Sequence, residues 1–412
     1  MLQFEKFTLN NGLKVLIHND ISTPMAVVNI LYGVGARDED ENRTGFAHLF
    51  EHLMFGGSIN IPEFDIPIEQ AGGENNAFTN NDFTNYYISL PAGNIETAFW
   101  LESDRMLNLA FSEKSLEVQR KVVIEEFKQR YLNHPYGDAW LHLRPLAFKK
   151  HPYRWATIGK EIGHIENATM DDVKAFYSKW YNPGNAILTV ASPLDSKTVL
   201  PLIEKWFGGI EKTHSAIHNV PNEPKQTEKR TLVLERDVPF RSIYRAWHMP
   251  ERLHPDYKVC DLISDLLSNG PSSRLYQNLV KKRNLFSNLN AYIAGDFDPG
   301  LFLIQGELSD GKTFDEAIEA IDNEINRIIA GDFSDHELQK VKNKIESAFE
   351  FSKTSILNKA MNLSIYEWMG DAALINSEVE NYKKISRDDI TKVAREIFCN
   401  NNLSELFYEP TK

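Results

Sequence analysis

Residues 45–57 read GFAHLFEHLMFGG, an apolar stretch that contains two histidines four positions apart and a glutamate directly before the second one. Its apolar residues recur at helical spacing, and they are Phe46, Leu49, Phe50, Leu53 and Met54. This pattern predicts an amphipathic helix over about 43–55. Because residues i and i+4 lie one above the other on a helix, His48 and His52 would present two imidazoles on one face. Glu51 would lie on the same side, slightly rotated.

Two imidazoles and a nearby carboxylate suit a catalytic zinc site, where three protein ligands leave one position open to water. Glu51 is placed to accept a proton from that water. The competing interpretation is a pair of solvated or core histidines, which a bare HxxxH spacing favours. A glutamate in an apolar helix counts against it, because a carboxylate there carries a desolvation cost without a partner. HxxEH is the reverse of the common HExxH order, and alone it leaves both interpretations open.

A third ligand has to come from another segment, and a carboxylate is the expected type. Residues 117–130, EVQRKVVIEEFKQR, offer Glu125 and Glu126 on a helix predicted over about 113–131. An ordinary surface helix with i,i+4 pairs, such as Glu126 with Arg130, explains the same residues. Spacing alone does not choose between the two glutamates.

Length and charge limit the class of protein. A chain of 412 residues exceeds the size at which single cores usually split, so at least two domains are expected. The net charge of −13 argues against a nucleic acid or an anionic membrane as the main partner. Neither cysteine lies in a CxxC pair, and no secretory signal or run of 18 apolar residues is visible. We therefore expect a cytoplasmic protein without membrane insertion, or a periplasmic one if a leader was removed.

Local patterns predict a mixture of hairpins and long helices. The pair Asn11-Gly12 is a turn signal between strands expected at Phe7–Asn10 and Leu13–Ile17. Further strands are expected at Met25–Leu31 and Asn85–Leu90, and a further helix at about 94–109. This mixture predicts an α+β fold rather than a regularly alternating parallel sheet.

The middle of the chain divides two similar halves. Residues 208–229 are polar, contain two prolines and lack periodicity, which is typical of a linker. Two motifs before it recur after it in the same order: Phe111-Ser112-Glu113 resembles Phe333-Ser334-Asp335, and Thr169–Val173 resembles Ser386–Ile390. We therefore expect homologous halves at 1–207 and 230–412.

Taken together, these features resemble the pitrilysin/insulinase family of inverted zinc metallopeptidases, in particular its half-length branch of bacterial processing-type peptidases and the mitochondrial processing peptidase. The resemblance covers essentially the whole chain. It rests on the segments TLNNGLKV, VGARDEDENRTGFAHLFEHLMFGG, AGGENNAFTNNDFTNYYISLP, VVIEEF, HPYRWATIG and SSRLYQNL. It implies two α/β-sandwich halves of mostly antiparallel sheet packed on helices, which form one half of a metallopeptidase clamshell. Residues 1–207 would carry the zinc, and residues 230–412 would bind no metal.

Carried over residue by residue, the resemblance makes His48 and His52 zinc ligands and Glu51 the general base. The family's third ligand is the second glutamate of a V-V-x-E-E helix, here Glu126, with Glu125 as the fallback. One Zn²⁺ per chain is implied. The family often has an acidic residue seven positions before the third ligand, where this chain has Gln119.

The resemblance also implies a substrate-binding edge strand within residues 72–87, with Asn76, Ala77 and Phe78 lining it. An extended peptide would pair with such an edge by strand addition. Without the resemblance, turn chemistry is the better explanation of the asparagines in this stretch.

One departure from the family concerns the second half, where family members have an arginine and a tyrosine seven residues apart. This chain has Val280 and Ser287 there, and Arg283 and Tyr292 are out of register. The missing donor is one that stabilises a developing oxyanion, a contribution of about 3 kcal/mol. The resemblance implies a dimer, so a different subunit is expected to supply the Arg/Tyr pair.

The expected function is that of a zinc metalloendopeptidase, an inverted zincin. It would cleave peptides or unfolded segments by metal-activated water attack inside a dimeric chamber. The alternative is a peptide-binding or structural subunit of a heteromeric assembly with little activity of its own.

Overall fold

The computed structural model describes residues 1–212 and 217–411, so residues 213–216 of the predicted linker lie outside the described part. The strands are β1 Glu5–Thr8, β2 Lys14–Asn19, β3 Met25–Tyr32, β4 Glu74–Thr79, β5 Thr84–Pro91, β6 Ala186–Ser192, β7 Arg230–Arg236, β8 Ser242–His248, β9 Phe286–Ala294, β10 Leu301–Leu308 and β11 Leu403–Pro410. The α-helices are α1 Phe46–Leu53, α2 Asp65–Gln70, α3 Ile95–Leu107, α4 Glu113–Phe127, α5 Ala139–Ala147, α6 Ile162–Glu166, α7 Met170–Trp180, α8 Ser196–Phe207, α9 Pro255–Ser268, α10 Phe314–Ile329, α11 Asp335–Ser352, α12 Ile356–Trp368, α13 Glu378–Lys384 and α14 Arg387–Ile397.

The first compact unit comprises Met1–Phe127, Trp155–Val220 and Glu350–Ser377. Its sheet has the strand order β1-β2-β6-β3-β5-β4, with β4 at one edge. The predicted N-terminal hairpin forms, although β1 ends at Thr8 rather than Asn10. Its turn depends on Gly12, whose φ of +93° is a backbone conformation that favours glycine.

The second unit comprises Lys128–Arg154, Pro221–Phe349 and Glu378–Lys412. Its sheet has the order β7-β11-β8-β10-β9. One large apolar core includes residues of α9, α10 and α14 together with β9 and β10. A smaller core lies between α5 and β8, β10 and β11. Both units are therefore sheets packed on helices, which confirms the predicted α+β fold class.

The two sheets share one topology. In the first, β2 pairs parallel with β6, and β6, β3, β5 and β4 follow as antiparallel neighbours. In the second, β7 pairs parallel with β11, and β11, β8, β10 and β9 follow in the same way. This equivalence of five strands supports the proposal of two homologous halves, whose boundaries at 207 and 230 stay a prediction.

The compact units differ from the predicted halves in two segments: one segment of the second half belongs to the first unit, and one segment of the first half belongs to the second unit. Residues 350–377 belong to the first unit because α12 packs on β3 and β6. Within this contact the Asn29 amide donates to Ser364 Oγ at 2.8 Å, and Lys359 Nζ lies 2.6 Å from Asp20 Oδ2. Residues 128–154, which include α5, belong to the second unit.

Helix α1 is fixed inside the first unit by aromatic packing. Phe50 is fully buried, and its ring stacks on Phe176 at 4.9 Å and on Tyr181 at 5.2 Å between centroids. Helix α1 also contacts α4 and the edge strand β4. The predicted helix over 113–131 is α-helical only to Phe127 and continues as a π-helix over Lys128–Leu132.

Among the described residues, no helix combines the length and the apolar character needed to cross a membrane.

Candidate metal centre

The two histidines of α1 face the same neighbour. Their ring centroids are 4.8 Å apart, as expected for residues separated by one helical turn. The His48 side chain is 11% exposed and that of His52 is 24% exposed, so both imidazoles are mostly buried and His52 is the more accessible one. The predicted pair of imidazoles on one helix face is therefore present.

Glu126 meets these imidazoles from the last turn of α4. Its Oε2 lies 3.4 Å from Nε2 of His48 and 3.4 Å from Nε2 of His52. One ligand atom from each of the three residues lies within 4.8 Å of the other two. Glu125, the preceding residue, is exposed to solvent. The fold thus brings Glu126 to the histidines, a choice that spacing alone left open.

The chemistry of this cluster fits a divalent cation. A separation of 3.4 Å is long for an N–H···O hydrogen bond. It is, however, about the spacing of two donor atoms that each lie ~2.1 Å from a tetrahedral zinc ion. Oε2 of Glu126 is buried and forms no hydrogen bond within residues 1–212 and 217–411. Such an oxygen carries a desolvation cost that a bound cation would offset.

Glu51 lies on α1 between the two histidines and is half-buried. Behind it, the hydroxyls of Tyr86 and Tyr181 are 3.3 Å apart. Burial raises the pKa of both phenols, and the nearby Glu51 carboxylate raises them further. Both tyrosines therefore stay protonated at neutral pH beside the candidate general base.

A buried ion pair lies next to Tyr86. Arg105 is 1% exposed and its Nη2 lies 2.5 Å from Oε1 of the fully buried Glu102. The same guanidinium lies over the ring of Tyr86 at 4.4 Å and over that of Phe64 at 4.7 Å. Removing one partner of such a pair leaves a buried charge uncompensated, at a cost of about 3–5 kcal/mol. This pair was not predictable from the sequence, because an i,i+3 Glu–Arg spacing is common on exposed helices.

The predicted peptide-binding residues all lie on β4. This strand pairs with β5 on one side, and no strand in the described part of the chain pairs with its other side. The Ala77 N–H donates to Oδ1 of Asn76 at 2.8 Å, so β5 does not use this donor. The Phe78 ring packs edge-on against Phe83 at 5.9 Å. Asn76, Ala77 and Phe78 therefore form an open edge, and α1 contacts the same strand.

The second unit contains Val280 and Ser287 at the positions where the resemblance implies an arginine and a tyrosine. Val280 lies in the π-helix Tyr276–Lys282 and packs against the larger core. Ser287 is exposed on β9, where its hydroxyl donates to the Glu307 carbonyl at 3.3 Å. Tyr292 donates to Gln305 Oε1 at 2.7 Å, and Arg283 is exposed. His248 has its Nε2 3.0 Å from the Ala147 carbonyl oxygen, and burial lowers its pKa.

Comparison with known proteins identifies the family of this chain. The family described as Insulinase (Peptidase family M16) matches residues 14–154, and Peptidase M16 inactive domain matches residues 167–345. The Helicobacter pylori zinc protease PqqE is 30% identical over 416 residues, which cover 98% of this chain and 93% of that protein. The chain therefore belongs to the insulinase family of peptidases, family M16, as a half-length single unit.

Two further relatives extend the comparison. The crystal structure of a protease from Helicobacter pylori superposes with a TM-score of 0.94 at 29% identity and covers 100% of both chains. Subunit beta of the mitochondrial-processing peptidase of Saccharomyces cerevisiae is 25% identical over 408 residues, 93% of this chain and 86% of that subunit. The sequence-based resemblance to this family is thus confirmed.

Proposed function

We propose that this chain is a zinc-dependent endopeptidase that cleaves peptides or unfolded segments. The observation that carries the proposal is the convergence of His48, His52 and Glu126 from two helices, with Glu51 on the same helix as the histidines. The relatives named zinc proteases support the same chemistry. One zinc ion per chain, held by these two imidazoles and this carboxylate, accounts for all three ligand atoms.

Each residue has a distinct task in this mechanism. A zinc ion in this cluster supplies a Lewis acid and makes water more acidic. Glu51 accepts the proton of the attacking water and returns it to the leaving amine. Because water attacks the peptide carbonyl directly, no acyl-enzyme forms on a side chain of this chain.

The edge of β4 orients the substrate in the proposed enzyme. An extended peptide adds to β4 as a further strand, which gives main-chain recognition with little dependence on sequence. The Ala77 N–H is available for this pairing once it exchanges the Asn76 side chain for a peptide carbonyl. Since α1 contacts β4, a peptide on this edge lies beside the helix that carries the histidines.

A dimeric assembly with a second kind of subunit completes the proposal. Val280 and Ser287 provide neither a cation nor a phenol. A partner subunit with an arginine and a tyrosine at those positions would supply them, and the yeast relative is itself named as one subunit of a peptidase. If this chain instead served as a peptide-binding or structural subunit, its own cleavage rate would stay negligible with every partner.

Chelation tests the proposed function directly. Purified protein is incubated with a set of quenched fluorescent peptides before and after removal of metal with 1,10-phenanthroline, and then with added Zn²⁺. We expect cleavage to stop on chelation and to return with zinc. Cleavage that persists in the metal-free protein would overturn the proposal.

A further inference from the structure

A buried glutamate outside the ligand cluster accepts hydrogen bonds at the N-terminal end of α1, the helix that carries both histidines. Glu39 is 8% exposed. Its Oε2 accepts a hydrogen bond from the Gly45 N–H at 2.9 Å, and its Oε1 accepts one from the Ala47 N–H at 2.8 Å. The N–H groups of a first helical turn have no partner inside the helix. Glu39 therefore caps α1 through its side chain from outside the helix.

The helix does not cap itself because its N-cap position has no room for a side chain. The N-cap is Gly45, with a φ of +88°, and a Cβ there would lie 2.5 Å from the Ile158 carbonyl oxygen. The serine, threonine or aspartate that usually accepts these hydrogen bonds is thus excluded. The Glu39 carboxyl group, from a position outside the helix, accepts these hydrogen bonds instead.

The segment that carries Glu39 is anchored at the turn that follows the edge strand β4. The Ala36 N–H donates to the Asn80 carbonyl at 3.1 Å and the Arg37 N–H to the Asn81 carbonyl at 2.8 Å. The Arg37 guanidinium lies 3.0 Å from the carboxylate of the buried Asp82. Residues 80–83 connect β4 to β5, so residues 36–39 join the end of β4 to the start of α1.

A glycine permits this close approach. A Cβ on Gly35 would lie 2.4 Å from the Asp82 backbone nitrogen and 2.5 Å from the Asn81 carbonyl oxygen. Because these are backbone atoms, they cannot move aside as a flexible side chain does. Residues 35–39 are therefore held tightly at both ends, with the Glu39 carboxylate as the link to α1.

We propose that Glu39 is a positioning residue for the candidate metal centre. It sets the position of α1 between β4 and α4, so that His48 and His52 meet Glu126 beside the peptide-binding edge. This inference rests on the proposed function, since it assigns Glu39 to the same site. Glu39 touches neither substrate nor metal and acts only through the helix it caps.

The test compares Glu39→Gln with a matched change elsewhere in the same unit. Glutamine keeps the size of the side chain but turns an NH2 group toward one of the two backbone N–H donors. Glu367→Gln is the control, because Glu367 is equally a buried carboxylate, has Lys6 Nζ 2.6 Å from its Oε1 and lies on α12 rather than at the N-terminal end of α1. The more drastic substitution Glu39→Ala removes the cap entirely and risks preventing folding, so Glu39→Gln is the variant that decides the question.

Three properties are measured on folded protein: zinc affinity by competition with a chromogenic chelator, kcat and KM for a peptide, and hydrogen–deuterium exchange of α1 in the metal-free state. For Glu39→Gln we expect zinc affinity to fall about tenfold or more, as is typical of groups that orient ligands. We also expect kcat to fall more than KM rises, and the α1 amides to exchange faster. Glu367→Gln should lower the melting temperature and leave zinc affinity within about twofold.

The inference would be overturned if Glu39→Gln bound zinc as tightly as the wild type and its α1 amides exchanged hydrogen at the wild-type rate. An equal loss of zinc affinity in both variants would also overturn it, because general destabilisation would then explain the effect. If the wild-type protein binds no zinc, the proposed function fails by itself. The exchange of α1 in the metal-free protein then decides whether Glu39 positions the helix.

Discussion

Glu126 and its chain neighbour Glu125 lie on different sides of α4. Oε2 of Glu126 is 3.4 Å from Nε2 of both histidines of α1, whereas Glu125 is exposed to solvent. The two side chains are chemically identical and differ by about 100° around the helix axis. This pair therefore offers a test of the third ligand in which charge, helix propensity and position along the chain are matched.

The first prediction uses this pair. Glu126→Ala removes one of three ligands, so zinc content after dialysis should fall from one ion per chain to nearly none. Glu125→Ala should retain full zinc, because its side chain lies outside the cluster. Elemental analysis of both variants measures the outcome. Loss of zinc in Glu125→Ala with retention in Glu126→Ala would reverse the assignment.

The second prediction separates proton transfer from metal binding. Glu51→Gln preserves the size and the hydrogen-bonding oxygen of the side chain but removes the base. We expect kcat for a peptide to fall about 10²–10⁴-fold, the usual contribution of a general base, with zinc content unchanged. Steady-state kinetics at matched zinc loading measures it. A variant that cleaves at the wild-type rate would remove Glu51 from this role.

The third prediction concerns the open edge of β4. Ala77→Pro removes the N–H that donates to Asn76 Oδ1 rather than to β5, and proline is tolerated on an edge strand at such a position. If peptides add to this edge, KM should rise several-fold with a smaller change in kcat. Ala77→Ser keeps the N–H and serves as the control. An unaltered KM in the proline variant would place the substrate elsewhere.

The fourth prediction concerns the assembly. Because the resemblance implies an arginine and a tyrosine where this chain has Val280 and Ser287, the purified chain should cleave slowly. A partner that supplies the pair should raise kcat by about 10²-fold, the value of one oxyanion donor. The measurement is a titration of this chain with a family member that carries the Arg/Tyr pair and lacks HxxEH. Full activity of the chain alone, with no increase on mixing, would contradict the prediction.

The fifth prediction concerns stability and pH. Burial raises the pKa of Asp20, but hydrogen bonds from Lys359 and Ser22 outweigh burial and bring this pKa to about 2. A lowered folded-state pKa adds stability above the unfolded value of about 4, and this stability is lost as the pH falls toward 2. Asp20→Asn should therefore reduce the free energy of unfolding at pH 7 by about 2 kcal/mol.

Urea unfolding from pH 7 down to pH 3 tests this expectation. The difference between Asp20→Asn and the wild type should shrink steadily below pH 4. Lys359→Met tests the same contact from its other partner, because it removes the cation and keeps the Asp20 carboxylate. If the difference in free energy of unfolding stays constant from pH 7 to pH 3, the Asp20–Lys359 ion pair is not its cause.

Local patterns in the sequence were sufficient for the elements around the site. Helical spacing in residues 45–57 predicted α1, and the Asn11-Gly12 pair predicted the first hairpin. The HxxEH order also placed both histidines on one face, since that relation depends only on helix geometry. These features share one property, which is that they depend on residues close together in the chain.

Contacts between distant segments were not predictable in the same way. The choice of Glu126 depends on the rotation of α4 against α1, which no local pattern encodes. The cap by Glu39 follows from the approach of Ile158 to Gly45, and the exchange of residues 350–377 follows from packing of α12 on β3 and β6. In each case the deciding partner is remote in sequence, so local spacing does not identify it; for Glu126 it was the resemblance to the family that pointed to the same residue.

Calorimetric titration of metal-free protein with Zn²⁺ tests the central claim most directly. The account predicts one high-affinity ion per wild-type chain, and no such binding in a folded His48→Ala/His52→Ala double variant. Absence of binding to the folded wild type, or equal binding to the double variant, would contradict it.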